Sequence, residues 1–169
     1  MAIMIRNAKK EDWAEIKYIY EAGISTGFAT FETKAPAIYE QWVLKAHPEC
    51  TLIAQNENKV LGWCKITTIS DRLAYAGVGE VSVYVHPNAQ GMGVGNFLLK
   101  NLITVSEEQG YWTLQVSIFR ENNCSVYLHK KNGFREVGIR EKIGKLNGIW
   151  RDNVLLERRS NLVGLEEDC

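Results

Sequence analysis

Apolar residues in the first half of the chain recur with two distinct periods. Between Trp13 and Tyr20 they are spaced three and four residues apart, which is typical of a helix with one buried face. Two runs rich in β-branched residues flank the Asn-containing stretch 56–59 and predict a hairpin. The predicted elements of this half are a strand at 3–6, a helix through Tyr20, an interruption at 23–27, a helix after Pro36 carrying Ile38, Trp42 and Val43, and strands at 51–54 and 60–68.

The stretch from Glu80 to Asn96 changes its period halfway. Its first part is β-branched or aromatic at nearly every second position, which predicts a strand, and Pro87 ends it because proline cannot donate to a sheet. Three glycines follow, and from Phe97 to Val105 the apolar positions recur at helical spacing. The remaining predicted elements are a strand at 112–119, a short helix between 120 and 133, and strands at 134–141 and 150–157 around a turn at 146–149.

This order of elements predicts an α/β fold. We expect a mixed, mostly antiparallel central sheet with helices on both faces, in a single domain spanning residues 1–169. The strands before Glu80 form an antiparallel meander, whereas the strand, helix and strand from 112 to 141 demand parallel pairing. The polar tail, residues 160–169, is predicted to fray.

Composition and charge narrow the classes of function. The chain has 169 residues, and its 20 Lys and Arg balance 20 Asp and Glu, so a nucleic-acid partner is not expected. Neither a signal peptide nor an apolar run of membrane-spanning length is visible, which predicts a cytoplasmic protein without a membrane partner. Four cysteines without a C-x-x-C pair and only three histidines predict free thiols and no metal site.

The glycine-rich turn after the Glu80 strand is the strongest candidate for ligand chemistry. Amides in the first turn of a helix lack partners and carry the positive end of the helix dipole, so they bind anions such as phosphate. Neither the dinucleotide fingerprint nor the P-loop pattern is present in Gly91-Met92-Gly93-Val94-Gly95-Asn96. The plainer alternative is a strand–turn–helix corner in which the glycines only relieve backbone strain.

The motif Gln90-x-x-Gly93-x-Gly95 after a strand resembles the acetyl-CoA loop of the GNAT superfamily of N-acetyltransferases. In that family the loop amides hold the cofactor pyrophosphate, and the preceding strand pairs its main chain with the pantetheine arm. Glu80 and Val85 are five strand steps apart, roughly 16 Å, a suitable length for that arm. The resemblance implies acetyl-CoA contacts at Val83, Tyr84, Val85, Gln90, Gly91, Met92, Gly93, Val94, Gly95, Asn96 and Asn122.

Within the superfamily the chain resembles the phosphinothricin and methionine sulfoximine N-acetyltransferases. The resemblance covers nearly the whole chain and rests on five separated motifs: Thr30-Phe31-Glu32 with Trp42, Arg72-x-Ala74-Tyr75, Glu80-x-x-x-Tyr84-Val85-x-Pro87, Asn122-x-x-Ser125-x-x-x-His129 before Gly133-Phe134, and Gly148-x-Trp150-x-Asp152. It implies a small amino-acid-like acceptor amine, bound by Phe31, Arg72 and Tyr75. It also implies a homodimer, which the aromatic-rich end near Trp150 favours as well.

The resemblance assigns catalytic roles to Glu80 and His129. Amines are largely protonated at neutral pH and attack a thioester only when uncharged, so a base is needed, and Glu80 is the candidate. His129 stands where most relatives carry a tyrosine thought to protonate the departing thiolate. The alternatives are a solvent-facing strand carboxylate for Glu80, a packing histidine for His129 and a simple helix N-cap for Asn122. At the level of the whole protein, the alternatives are an acetyltransferase of polyamines or protein amines, and a non-catalytic acetyl-CoA sensor.

Overall fold

A computed structural model describes residues 2–166 as four α-helices and a seven-stranded sheet. The strand order across the sheet is β1-β2-β3-β4-β5-β7-β6. The strands are β1 Met4–Asn7, β2 Ala46–Asn56, β3 Lys59–Thr68, β4 Val78–Val85, β5 Thr113–Phe119, β6 Arg135–Leu146 and β7 Ile149–Arg159. The helices are α1 Trp13–Ser25, α2 Tyr39–Trp42, α3 Val94–Glu108 and α4 Asn123–Lys131.

The sheet is antiparallel except between β4 and β5, which confirms the mixed architecture. Helix α3 supplies the crossover between these two parallel strands. The prediction of direct parallel pairing across residues 112–141 is wrong, because β7 lies between β5 and β6 and pairs antiparallel with both. The tight turn at Asn147 and Gly148 returns the chain from β6 to β7. The second strand of the β6–β7 hairpin, and not β6 itself, therefore lies next to β5.

Two hydrophobic cores lie on opposite faces of the sheet. Because side chains alternate along a strand, Leu52 and Cys64 face the larger core beneath α3 and α4, whereas Ile53 and Trp63 face the smaller one beneath α1 and α2. The predicted helices on both faces are therefore present. The larger core contains the apolar stripe of α3, which begins at Val94, three residues earlier than its apolar period suggests.

The start of the tail differs from the prediction of fraying. Ser160 is buried, and its hydroxyl donates to the Glu107 carboxylate at 2.8 Å. The Arg159 guanidinium donates to the carbonyls of Val163 and Gly164. Side-chain hydrogen bonds thus hold 160–164 against the end of α3, while residues 167–169 of the predicted tail lie outside the described residues.

Candidate active site

Strands β4 and β5 separate in the middle of the sheet. They pair at three positions, the last of which joins Glu80 to Gln115. Strand β4 nevertheless continues to pair with β3 as far as Val85. The β5-facing backbone of 81–85 therefore has no sheet partner within the described part of the chain. Unpaired strand edges accept an extended ligand by adding main-chain hydrogen bonds.

The side chains along this open edge are directed into the two cores. Tyr84 stacks on Trp63 with ring centroids 4.5 Å apart, and Val83 and Val85 pack against the larger core. A ligand between β4 and β5 would therefore meet their main chain. Any contact of Val83, Tyr84 or Val85 with such a ligand is expected to use backbone atoms.

The glycine-rich turn leaves the beginning of α3 sterically open. Gly91 and Gly93 adopt positive φ angles of 76° and 82°, and a Cβ atom on either would meet nothing within 4 Å. Gly93 is the N-cap of α3, so the amides of Val94, Gly95 and Asn96 belong to its first turn. Gln90 and Met92 are exposed beside them. The N-terminus of α3 is thus sterically uncovered, as an anion site at this turn requires.

Side chains of the first turn of α3 fix the helix in place. Val94 is buried in the larger core, and the side-chain Oδ1 of Asn96 accepts a 3.0 Å hydrogen bond from the side-chain Nδ2 of Asn132. A Cβ atom on Gly95 would contact Leu128 and Val85 at 3.4 Å, so the helix passes close to both. Cofactor contacts at Val94 and Asn96 would consequently use their backbone amides.

Glu80 lies at the apex of the opening between the two strands. Burial raises the pKa of its carboxyl above the ordinary range, while the charge of Arg140 and a hydrogen bond from Gln115 act in the opposite direction. The side chain is only half-buried, so it can still reach solvent or a substrate. A carboxylate that holds its proton more tightly than usual is a better base. Arg140 and Gln115 were not identified from the sequence.

Polar side chains surround Glu80 on its face of the sheet. Ser82 is two residues further along β4, and Lys65 and Thr67 face the same way because they pair with Ser82 and Glu80. All of them are partly exposed. We call the polar face formed by Lys65, Thr67, Glu80 and Ser82 the floor of the cleft between β4 and β5. The alternation of polar and apolar residues in β3 is the sequence signal that could have predicted this floor.

The three predicted acceptor-binding residues occupy two separate places. Phe31 packs edge-to-face on Phe119 at 4.6 Å, and its ring lies against Gly144, where an added Cβ would approach to 3.0 Å. Arg72 and Tyr75 lie together on the exposed connection before β4, with the guanidinium 5.4 Å from the ring centroid. Phe31 therefore packs against strands β5 and β6, whereas Arg72 and Tyr75 lie on the surface.

His129 is buried on α4, on the opposite side of the sheet from Glu80. Its Nδ1 lies 2.8 Å from the Ser125 carbonyl oxygen and must donate to it, and its ring packs edge-to-face on Phe134. Burial lowers the pKa of the imidazole, so the neutral form prevails at pH 7. The neutral ring then carries no proton on Nε2, which is buried without a partner in the described structure. This geometry argues against the expected role as general acid.

Asn122 and Arg151 join the α1–α2 loop to the beginning of α4. The Asn122 side chain caps α4 by accepting from the Ser125 amide, and it donates to the Phe28 carbonyl oxygen at 3.2 Å. Both ends of the amide are thus engaged within the protein, which favours the N-cap alternative over cofactor binding by this side chain. Arg151 donates to the Gly27 carbonyl and lies 4.3 Å from the Phe119 ring centroid. The sequence analysis did not identify Arg151.

Glu80, the open edge of β4 and the uncovered N-terminus of α3 follow one another along the chain and form one continuous candidate site for an extended, anionic ligand. The sequence profile described as the Acetyltransferase (GNAT) family matches residues 12–134. The chain therefore belongs to the GNAT family, and it is an N-acetyltransferase.

Comparison with individual proteins agrees with this assignment. The chain is 34% identical to a phosphinothricin N-acetyltransferase of Alcaligenes faecalis over 95% of its own length and 84% of the relative. It is 28% identical to the L-methionine sulfoximine/L-methionine sulfone acetyltransferase of Salmonella typhimurium, over 90% and 92% of the two chains. The crystal structure of a phosphinothricin acetyltransferase from Sinorhizobium meliloti in complex with acetyl-CoA is similar in fold, with a TM-score of 0.88 and 25% identity over 100% and 94% of the chains.

Between residues 2 and 166, no group of three or more His, Cys, Asp or Glu side chains is placed to hold a metal ion. None of the helices in that same range is long and apolar enough to cross a membrane.

Proposed function

We propose that this enzyme transfers the acetyl group of acetyl-CoA to the α-amine of a small amino acid of the phosphinothricin or methionine sulfone type. The observation that carries the proposal is the separation of β4 from β5 immediately after Glu80. It places a carboxylate at one end of an unpaired strand edge whose other end leads to the glycine-rich turn. The names of the relatives from Alcaligenes faecalis and Salmonella typhimurium support the acceptor class.

Acetyl-CoA would lie along this edge. The main chain of Val83, Tyr84 and Val85 would pair with the pantetheine arm. The amides of the turn and first helical turn, with Gln90 and Met92 at the rim, would hold the pyrophosphate. These residues fit the ligand because two glycines leave the amides uncovered. Asn122 would contribute by capping α4.

Glu80 would remove a proton from the acceptor ammonium group, directly or through a water molecule. The neutral amine then attacks the thioester carbonyl, and backbone donors of the open edge stabilise the oxyanion. The coenzyme thiolate is a good leaving group, since thiols have pKa values near 8.5. We therefore assign His129 to packing. Phe31 would wall the acceptor site, and Arg72 with Tyr75 would close it from the exposed connection.

Thiol release from acetyl-CoA at pH 8 tests the proposal. We would compare L-phosphinothricin, L-methionine sulfoximine, L-methionine sulfone, spermidine and an N-terminal peptide, using the wild type beside Glu80→Gln and Arg72→Ala. The expected result is that the wild type prefers the amino acids and that both variants acetylate them more slowly than the wild type does. A preference for spermidine or the peptide would contradict the acceptor class. Acetyl-CoA binding without turnover of any amine would indicate a sensor.

We also propose that the enzyme is a homodimer formed through the β6 edge of the sheet. Val137, Ile139 and Ile143 are exposed on this outermost strand, and Ile149 and Trp150 are exposed on the adjoining β7. Exposed apolar patches next to an unpaired strand edge are typical of interfaces.

Light scattering after size exclusion would test this interface. Trp150→Glu should shift the protein from dimer to monomer, whereas Leu44→Glu, at a more exposed apolar position near α2, should not. A wild-type protein that is monomeric at micromolar concentration would refute the dimer.

A further inference from the structure

Lys65 is a cation in the floor of the cleft that the mechanism above does not use. Its Nζ donates to the Trp42 carbonyl oxygen at 2.6 Å and lies 4.7 Å from the Trp42 ring centroid. No carboxylate lies within ion-pair distance of it in residues 2–166. Burial lowers the pKa of its ammonium group to about 8. Lys65 is therefore largely charged at pH 7 and partly dehydrated, and it has no counter-ion within residues 2–166.

The pairing of β3 with β4 fixes Lys65 relative to Glu80. Lys65 is opposite Ser82, and Thr67 is opposite Glu80, so Lys65 and Glu80 are diagonal neighbours on one face of the sheet. Such neighbours have Cα atoms about 7–8 Å apart, within reach of a ligand held between their side chains. The two charged groups do not form an ion pair with each other in the described structure. One face of the sheet thus carries an anion and a cation at diagonal positions, and neither takes part in an ion pair within residues 2–166.

We propose that Lys65 binds the carboxylate of the acceptor amino acid while Glu80 receives its ammonium group. This inference rests on the proposed function and deepens it, because it makes the zwitterionic head group the feature that the site recognises. An α-amino acid carries its two opposite charges on one carbon, so it matches adjacent opposite charges on the floor. Lys65 is then a specificity-determining residue, and the variable side chain of the acceptor extends towards Phe31.

Two other cations lie near the cleft. Arg72 is exposed on the connection before β4 and stacks on Tyr75, and Arg140 is exposed on β6, where its charge acts on Glu80. Charges in contact with bulk water discriminate weakly, because solvent screens them. The partly buried Lys65 differs from both, since an acceptor without a carboxylate leaves its charge without a counter-ion. We therefore assign the discrimination to Lys65.

Steady-state kinetics with a matched pair of acceptors tests the inference. The pair is L-methionine sulfone and 3-(methylsulfonyl)propylamine, the same molecule without its carboxylate. The wild type should prefer the amino acid by about 100-fold in kcat/KM, and Lys65→Met should abolish most of that preference by raising the KM of the amino acid. Its kcat/KM for the amine should stay within about threefold of wild type. Lys65→Arg should retain part of the preference, and Lys100→Met, on the exposed face of α3, should change nothing.

Several results would overturn this assignment. Equal losses for both acceptors in Lys65→Met would show a structural role, and a selective loss in Arg140→Ala or Arg72→Ala instead would move the contact elsewhere. A wild type that acetylates both acceptors equally would refute carboxylate recognition while leaving acetyl transfer intact. No turnover of any amine would refute the proposed function itself. Thermal stabilisation by acetyl-CoA would verify that each variant folds. If Lys65→Met did not fold, Lys65→Gln would take its place.

Discussion

At the scale of single residues, burial adjusts the two candidate catalytic groups in ways suited to different tasks. Glu80 gains basicity because its charged form is poorly hydrated. His129 is held neutral by burial, and its hydrogen bond to Ser125 fixes the tautomer. Burial thus raises the basicity of Glu80 on one face of the sheet and keeps His129 neutral on the other.

Replacing Glu80 by Gln should lower the activity of the enzyme while raising its thermal stability at pH 7. We expect kcat to fall by about 10²- to 10⁴-fold, the usual contribution of a general base. The pKa of Glu80 is raised in the folded state, so its stabilising contribution is present at low pH and is lost as pH rises through the folded pKa. At pH 7 the variant should therefore unfold at higher temperature than the wild type. Calorimetry at pH 4 and pH 7 checks the sign: the difference should shrink in acid.

Replacing His129 by Phe should leave most of the activity. The aromatic contact with Phe134 is kept and an unpartnered buried nitrogen is removed, so kcat at pH 8 should stay within about tenfold of wild type. The pKa of His129 is lowered on folding, so the unfolded chain binds a proton more readily and the wild type loses stability as pH falls below 6.5. The thermal stability of the variant should therefore fall less than that of the wild type between pH 7 and pH 5. A loss of kcat above 100-fold, together with a changed alkaline limb of the pH–rate profile, would instead indicate that His129 acts as a general acid.

At the scale of elements, two connections determine what the sheet can hold. The turn between β4 and α3 uses positive φ angles at Gly91 and Gly93 to bring a helix N-terminus to the open edge. The loop between α1 and α2 brings Phe31 against Phe119 and is held by Arg151 and Asn122. The first connection forms the proposed cofactor turn, and the second carries Phe31, the proposed wall of the acceptor site.

Replacing Gly93 by Ala should weaken acetyl-CoA binding specifically. The left-handed backbone costs about 1–2 kcal/mol in a non-glycine residue, and the resulting adjustment would displace the helix amides. We expect the KM for acetyl-CoA to rise roughly tenfold, the equivalent of about 1.4 kcal/mol. Gly110→Ala is the matched control, because Gly110 has a φ of 86° and similar open space after the end of α3. An equal rise in KM in both variants would contradict the prediction.

Replacing Arg151 by Ala should affect the acceptor more than acetyl-CoA. The side chain is mostly buried and donates to Gly27 and to Glu121, so its loss should cost about 1–3 kcal/mol of stability and loosen the loop that carries Phe31. We expect the acceptor KM to rise about tenfold with little change for acetyl-CoA. Arg120→Ala removes an exposed ion pair to Asp152 and serves as the control. A change confined to the acetyl-CoA KM would contradict a positioning role.

At the scale of the whole molecule, the sheet separates two cores and is incomplete at its centre. The larger core with α3 stabilises one side of β4, and the smaller aromatic core with α1 stabilises the other. Between them the gap beside β5 leaves main-chain groups without partners. A bound ligand would complete the hydrogen bonding of the sheet, so binding and folding should be coupled.

Acetyl-CoA should therefore raise the thermal stability of the domain. At 100 times its Kd, a ligand that binds only the folded state adds about 2.7 kcal/mol to the free energy of unfolding. For a chain of this size we expect the Tm to rise by roughly 5–10 °C. Pantetheine at the same concentration should raise the Tm much less, because it lacks the pyrophosphate that the amides of α3 are proposed to bind. Equal shifts from the two would refute the role of the turn.

The sequence by itself determined the features that depend on neighbouring residues. Alternation identified the Glu80 strand, glycine and proline located the turn before α3, and the spacing of short motifs indicated the family. The tertiary structure decided which strands meet, since pairing depends on packing between residues distant in the chain. It placed β7 beside β5, ended the β4–β5 pairing at Glu80 and brought Lys65 diagonal to it. It also engaged Asn122 in capping and removed His129 from solvent, because burial and hydrogen-bond partners exist only in the folded chain.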